Sequence, residues 1–219
     1  MNLGDVRKIE SKIKHISKVW DGRASILEMR DFGFSHWRQM EWIGFYFQFL
    51  CEKYLSDIMQ IPGPKYGNVR FDGFLQIPWD FKAHAMNTSS HQIIVNDSEA
   101  IARAIKDYGE VGVILALGKV VYNDEKRTFQ KWHEKIKGEE SKYVKDRKER
   151  GAWSRLRKVA LDLQQISFIR ITDTTLIKTG SFQEDFRNSN GLPRRPKVLI
   201  DLEKVDNKDL VHHLDFNFS

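Results

Sequence analysis

An aromatic-rich stretch between residues 35 and 57 limits the folds that this chain can adopt. Apolar side chains surround the predicted helix on several sides: Trp37, Met40, Trp42, Phe45, Tyr46, Phe49, Leu50 and Tyr54. Such a helix must be covered on more than one face, because a helix with one exposed side carries a single apolar stripe. At 219 residues, the chain is long enough to supply that cover within one large domain. Cys51, the single cysteine, is interpreted as a packing residue of this helix.

Helical and strand patterns alternate along the rest of the chain. Periodicity predicts further helices over 6–19, 97–108 and 128–158, and strands over 69–75, 77–86, 111–121, 165–172 and 197–202. The predicted fold class is α/β in the broad sense, a mixed α+β protein with a central mixed β-sheet flanked by helices. No repeat or linker divides the chain, so we predict a single domain with N-terminal helices in 1–60, a sheet core in 61–125 and a basic part in 126–219.

The net charge and the absence of several sequence motifs restrict the classes of function that the chain can have. The net charge of +6 and the sequence pI near 9.3 favour a polyanionic partner. The longest apolar run is far too short to span a bilayer, and the first residues lack the apolar core of a signal peptide, so a cytoplasmic location is expected. The sequence contains no Walker-type phosphate loop, no His-Glu-x-x-His motif and no Gly-x-Ser-x-Gly motif.

The segment 68–87 carries the residues that most resemble a catalytic set. In a strand, side chains two apart share a face, so Asp80, Lys82 and His84 face one side and the aromatic residues between them face the other. Asp72 lies eight residues earlier, where a tight connection between strands would bring it beside Asp80. Two converging carboxylates form an oxygen site suited to Mg²⁺, and a neighbouring lysine can orient an attacking water.

Glu41 is a candidate third acidic ligand. It lies within the aromatic helix, where an unpaired carboxylate is expensive unless it reaches the surface or meets a cation. A solvated helix residue is the alternative interpretation, and Glu52 competes for the same role. The alternative interpretation of Asp80 and Lys82 is a structural ion pair on an exposed strand face. In that case Asp72, before Gly73, simply starts a turn. His84 is read as a structural histidine more readily than as a base.

Three features form a set: Asp72, the run Asp80-Phe81-Lys82, and a preceding helix bearing Glu41. This set resembles the active site of the PD-(D/E)xK nucleases, and its layout is similar to that of type II restriction endonucleases. The resemblance covers about residues 35–86. It implies a restriction-endonuclease-like fold, Mg²⁺ bound by Asp72, Asp80 and Glu41, and a water positioned by Lys82. It further implies cleavage of double-stranded DNA at a short specific sequence by a homodimer, in a prokaryotic cytoplasm, with a cognate DNA methyltransferase protecting the host.

Two basic stretches are candidate DNA contacts. The first, 142–158, interleaves eight basic residues with aromatic ones, and a solvated charged helix is its alternative interpretation. The second, 187–197, holds no acidic residue and combines Arg with Asn, the side chains that contact guanine and adenine edges. The predicted DNA-binding residues are Arg155, Arg157, Lys158, Arg187, Asn190, Arg194, Arg195 and Lys197.

Two other functions fit the same residues. A repair or junction-resolving nuclease of this fold would read DNA shape in place of sequence. A non-catalytic basic DNA-binding protein would use only the basic stretches, with the acidic cluster serving the fold.

Overall fold

The computed structural model of the protein describes residues 1–123, 125–183 and 195–216. The helices are α1 (Leu3–Ile13), α2 (Gly22–Asp31), α3 (Trp42–Leu55), α4 (Ser98–Tyr108), α5 (Thr128–Lys137), α6 (Lys142–Glu149) and α7 (Asp173–Thr179). The strands are β1 (Val19–Asp21), β2 (Lys65–Tyr66), β3 (Val69–Arg70), β4 (Gly73–Leu75), β5 (Ile77–Ala85), β6 (Gln92–Asp97), β7 (Val111–Tyr122), β8 (Lys158–Ile171), β9 (Gly180–Gln183), β10 (Lys197–Asp201) and β11 (Leu210–Asp215). Short 3₁₀ helices cover Ser35–Arg38 and Leu202–Lys204.

The main sheet is mixed, as predicted. Its strand order is β1-β8-β7-β5-β4, and β11 also pairs with β8. Strands β4 and β5 form an antiparallel hairpin, whereas β5 and β7 are parallel because β6 and α4 lie between them in the chain. A parallel pair requires such a crossover connection. The prediction of a mixed α+β protein with helices around a central sheet is therefore confirmed.

Helices and strands cover both faces of the main sheet. One apolar cluster combines α1, α2 and α3 with alternate sheet residues such as Ile114 and Ala116. The other combines α4, β6 and β10 with the intervening residues Val113 and Leu115. Strand β7 thus buries both of its faces, which explains why its sequence is a nearly continuous apolar run.

The aromatic helix is shorter than predicted. The pattern over 35–57 favoured one helix capped by Ser35, but the structure has a 3₁₀ helix at Ser35–Arg38 and begins α3 at Trp42. Extended backbone at Gln39 separates the two (φ −76°, ψ 146°). Helix α3 is buried as its composition required, and Cys51 is fully buried within it.

Other boundaries also differ from the sequence patterns. The first helix ends at Ile13, and the predicted helical region 128–158 divides into α5, α6 and a connecting segment. Strand β8 begins at Lys158, seven residues before the predicted strand, because it pairs along nearly the whole length of β7. Helices α2 and α7 and strands β1, β2, β6, β9 and β11 were not predicted. Among the described helices, none has the length and apolarity needed to cross a bilayer.

Gly112 of β7 tests the packing against the β4–β5 hairpin. Its residue partner on β5 is Trp79, which is almost fully buried, and a Cβ added at Gly112 would lie 2.4 Å from the indole atom Cε3. We expect Gly112→Ala to lower the free energy of unfolding by about 1–3 kcal/mol, the usual cost of overpacking a core. Urea unfolding followed by circular dichroism measures it.

The matched control is Gly44→Ala in α3, where an added Cβ meets nothing within 4 Å. Alanine favours a helix over glycine by about 0.5–1 kcal/mol, so this variant should be more stable than the wild type. Equal stability of the two alanine variants would contradict the described packing of Trp79.

Candidate active site

The β4–β5 hairpin brings Asp72, Asp80 and Lys82 together. Gly73 pairs with Trp79 in this hairpin, so Asp72 lies opposite Asp80. The Nζ atom of Lys82 is 3.5 Å from Oδ2 of Asp80 and 3.9 Å from Oδ2 of Asp72. Asp72 and Asp80, eight residues apart in the sequence, thus contact the same ammonium. They can do so because the hairpin turns within one residue at Gln76, which has a positive φ of 61°.

Asp72 is held by hydrogen bonds from two elements. Strand β4 pairs with β5 over Ile77–Trp79 alone, so beyond Trp79 the outer edge of β5 has no partner in β4. There, Oδ2 of Asp72 accepts a hydrogen bond from the backbone N–H of Phe81 at 2.7 Å, and Oδ1 accepts one from Nε2 of Gln48 in α3 at 2.9 Å. The carboxylate therefore takes the place of a strand partner and has a fixed orientation.

Asp80 has a different environment. Its side chain is only 2 % exposed, and within the described residues its Oδ2 receives no hydrogen bond. The Lys82 ammonium, 3.5 Å away, is the compensating charge at this atom. A buried carboxylate oxygen in this situation is costly, since water has been removed and no hydrogen bond replaces it. Such an atom is well suited to coordinate a cation.

Burial and charge shift the pKa values of this group. Burial raises the pKa of Asp72 to about 6, and the nearby Asp80 charge raises it too, whereas Lys82 and the Phe81 N–H act to lower it. Burial alone would lower the pKa of Lys82, but the charges of Asp80 and Asp72 outweigh burial and leave the pKa above its ordinary value. Lys82 is therefore an ammonium ion at neutral pH.

Gln48 was not identified as a site residue from the sequence. The signal for it is a single amide within an otherwise apolar run, from Trp42 to Cys51. A partly buried amide needs hydrogen-bond partners, and the Gln48 amide donates to Asp72. The sequence showed that the helix carries a polar group but not which strand it meets.

Glu41 does not join the two aspartates, which corrects its prediction as a third acidic ligand. It precedes α3, two helical turns from Gln48, and its side chain is 74 % exposed. Its Oε2 pairs with Nζ of Lys158 at 3.4 Å. Glu52 is also exposed and lines a separate depression with Phe34. The described residues include no group of three acidic, His or Cys side chains placed to hold a metal ion.

A cavity of about 550 Å³ is lined by the residues that follow Lys82 on the same strand. It is lined by Met40, Glu41, Ala83, His84, Ala85, Thr88, Ser90, Tyr122, Tyr143, Arg155, Leu156, Arg157 and Lys158. His84 donates through Nε2 to the carbonyl oxygen of Ser90 at 2.8 Å. Burial lowers its pKa below the ordinary value, and the charge of Lys158 contributes. His84 is therefore neutral at pH 7, with its other ring nitrogen unprotonated.

The predicted DNA contacts fall into three groups. Arg155, Arg157 and Lys158 line the cavity; Arg157 is almost buried and lies 5.8 Å from the ring of Tyr143. Arg195 pairs with Glu99 at 3.1 Å and Lys197 with Asp97 at 2.6 Å, so these two cations bind carboxylates of the chain itself. The remaining three lie outside the described residues: Arg187, Asn190 and Arg194.

Comparison of the chain with protein-family models, with curated proteins and with solved structures finds no match. A functional conclusion therefore depends on the geometry of the site.

Proposed function

We propose that the protein is a Mg²⁺-dependent endonuclease that hydrolyses double-stranded DNA at a short specific sequence, in the manner of the type II restriction endonucleases that its motif resembles. The observation that carries this proposal is the convergence of Asp72 and Asp80 on Lys82 at the edge of the central sheet. The cationic cavity beside them and the net charge of +6 support a polyanionic substrate.

The residues present fit a divalent cation. The buried Oδ2 of Asp80 lacks a hydrogen bond, and Asp72 is the second carboxylate within reach of the same ammonium. Carboxylate oxygens are the ligands that Mg²⁺ prefers, and it keeps several waters when one or two carboxylates hold it. When bound there, Mg²⁺ would neutralise charge on a phosphodiester and favour ionisation of water. Two carboxylates provide a smaller ligand set than the three that the resemblance implied.

Lys82 performs a defined part of this chemistry. As an ammonium ion it has hydrogens to donate but no lone pair to accept a proton, so it orients the attacking water and stabilises negative charge that develops on the phosphate. Asp72 is held rigidly by Phe81 and Gln48, which keeps the site in one geometry before substrate arrives.

Incubation of the purified protein with plasmid and phage DNA tests the proposal. The wild type is expected to produce discrete fragments with Mg²⁺ and none with EDTA, and Asp80→Asn should produce none in either buffer. The control Asp31→Asn removes an exposed carboxylate from the end of α2 and should cleave as the wild type does. If several unmethylated DNA substrates remain intact after incubation with the wild type, the proposed nuclease activity is wrong.

The second candidate is a non-catalytic DNA-binding protein. It is favoured by the Lys82 ammonium, which already compensates the two carboxylates as a structural ion pair would. In that case Asp80→Asn would retain or increase DNA affinity and no cleavage would be seen.

A smear of products in place of discrete fragments would indicate the third possibility, a nuclease that reads DNA shape. Dimer formation and protection by a methyltransferase remain expectations of the first proposal.

A further inference from the structure

The cavity lies beside Lys82 along strand β5. His84 follows Lys82 by two residues on the same face of β5, which places the two Cα atoms about 7 Å apart. This spacing is comparable to the distance between neighbouring phosphates of a nucleic-acid strand. The cavity volume of about 550 Å³ is within the range of small-molecule sites.

The charges that line the cavity favour an anion. Arg155 is exposed and makes no hydrogen bond or ion pair with any described residue. Lys158 is half-buried, and His84 is neutral. Glu41 is the acidic side chain among the lining residues, and it is already engaged with Lys158.

We propose that this cavity is a subsite for one nucleotide of the DNA strand. That nucleotide is adjacent to the phosphodiester that faces Asp72, Asp80 and Lys82, so the inference rests on the proposed function. Arg155 and Lys158 hold its phosphate. Thr88 and Ser90 supply polar groups at the wall, and the partly exposed ring of Tyr122 gives the sugar and base an apolar surface.

Glu41 has a specific role in this subsite. Its carboxylate binds the same ammonium, Nζ of Lys158, that a phosphate would bind, and its exposure leaves it free to turn away. Phosphate and Glu41 therefore compete for Lys158. Removal of the Glu41 charge should strengthen DNA binding, and it should do so only while Lys158 is present.

Fluorescence anisotropy of a labelled duplex in EDTA, where no cleavage occurs, tests the subsite. We expect Arg155→Ala to weaken binding about tenfold and to lower the slope of log K against log salt concentration by about 0.9, the value for one lost phosphate contact. The matched control is Arg7→Ala, an exposed arginine of α1, which should leave both quantities unchanged.

A double-mutant cycle tests the competition for Lys158. Glu41→Gln should tighten binding about two- to fivefold, the range for an exposed ion pair, and should have no effect in the Lys158→Met background. Glu52→Gln, within α3, measures the general effect of removing one exposed acidic charge, and its effect should be smaller than that of Glu41→Gln. Equal effects of the two glutamine variants, or an effect of Glu41→Gln that persists without Lys158, would overturn the role of Glu41.

The two proposals fail separately. Unchanged affinity and salt slope in Arg155→Ala, with a wild type that cleaves DNA, would overturn the subsite alone. If Arg155→Ala lowers the affinity and the salt slope as expected but the wild type cleaves no DNA, the cavity binds a nucleotide and the proposed nuclease activity is wrong. A wild type that binds no duplex would overturn the subsite.

Discussion

Replacing Lys82 with Met is expected to slow DNA cleavage by about 10²–10⁴-fold, the usual contribution of one group that handles a reacting proton or water. The methionine keeps most of the length of the side chain but removes the ammonium that contacts both carboxylates. Duplex affinity should change little, because the cations of the neighbouring cavity remain. Single-turnover cleavage on a gel gives the rate, and anisotropy in EDTA gives the affinity.

Loss of Lys82 also affects stability, so folding must be measured beside activity. Removing one partner of a buried ion pair typically lowers the free energy of unfolding by about 3–5 kcal/mol, since the other charge remains buried. The double variant Asp80→Asn with Lys82→Met removes both charges and should recover much of this loss. Lys14→Met, at the exposed end of α1, is the control for removal of a surface lysine. Normal cleavage by a folded Lys82→Met protein would rule out the proposed role.

The contribution of Asp72 to the stability of the protein should fall as pH rises from 4 to 8. Its pKa of about 6 in the folded chain lies above the ordinary value of 3.8, so the folded state binds this proton more tightly than the unfolded state does. The resulting stabilisation is fully present below pH 3.8 and is lost as pH rises through 6. A shift of about two pKa units corresponds to about 3 kcal/mol.

Urea unfolding in EDTA at a series of pH values, for the wild type and Asp72→Asn, isolates this contribution. The asparagine variant does not titrate, and Gln48 can rotate its amide to keep a hydrogen bond with either residue. The stability difference between the proteins should therefore change by about 3 kcal/mol between pH 4 and pH 8, in favour of Asp72→Asn at high pH. A difference that is constant with pH would contradict the raised pKa. Mg²⁺ should reduce the difference at high pH, because it binds the ionised carboxylate.

Local sequence patterns predicted the elements that carry their own signals. The alternation around Asp80 and Lys82 predicted a strand with both side chains on one face, which β5 confirms. Helix α4 was predicted within a residue of its observed start, and Gly109, in a left-handed conformation, ends it. Elements whose residues have mixed or weak periodicity, such as α2 and β11, were missed because their stability comes from packing against β8 and α3.

The sequence alone determined that the chain needs a central sheet flanked by helices and that Asp72, Asp80 and Lys82 can meet within a hairpin, because both conclusions depend on neighbours in the chain. Only the tertiary structure decided which distant groups meet them. It placed Gln48 against Asp72, directed Glu41 to Lys158 instead of to the aspartates, and brought the segment around Arg155 beside β5. These contacts join residues separated by 24 to 117 positions, whose approach is set by helix packing and strand order and leaves no periodic signal in the sequence.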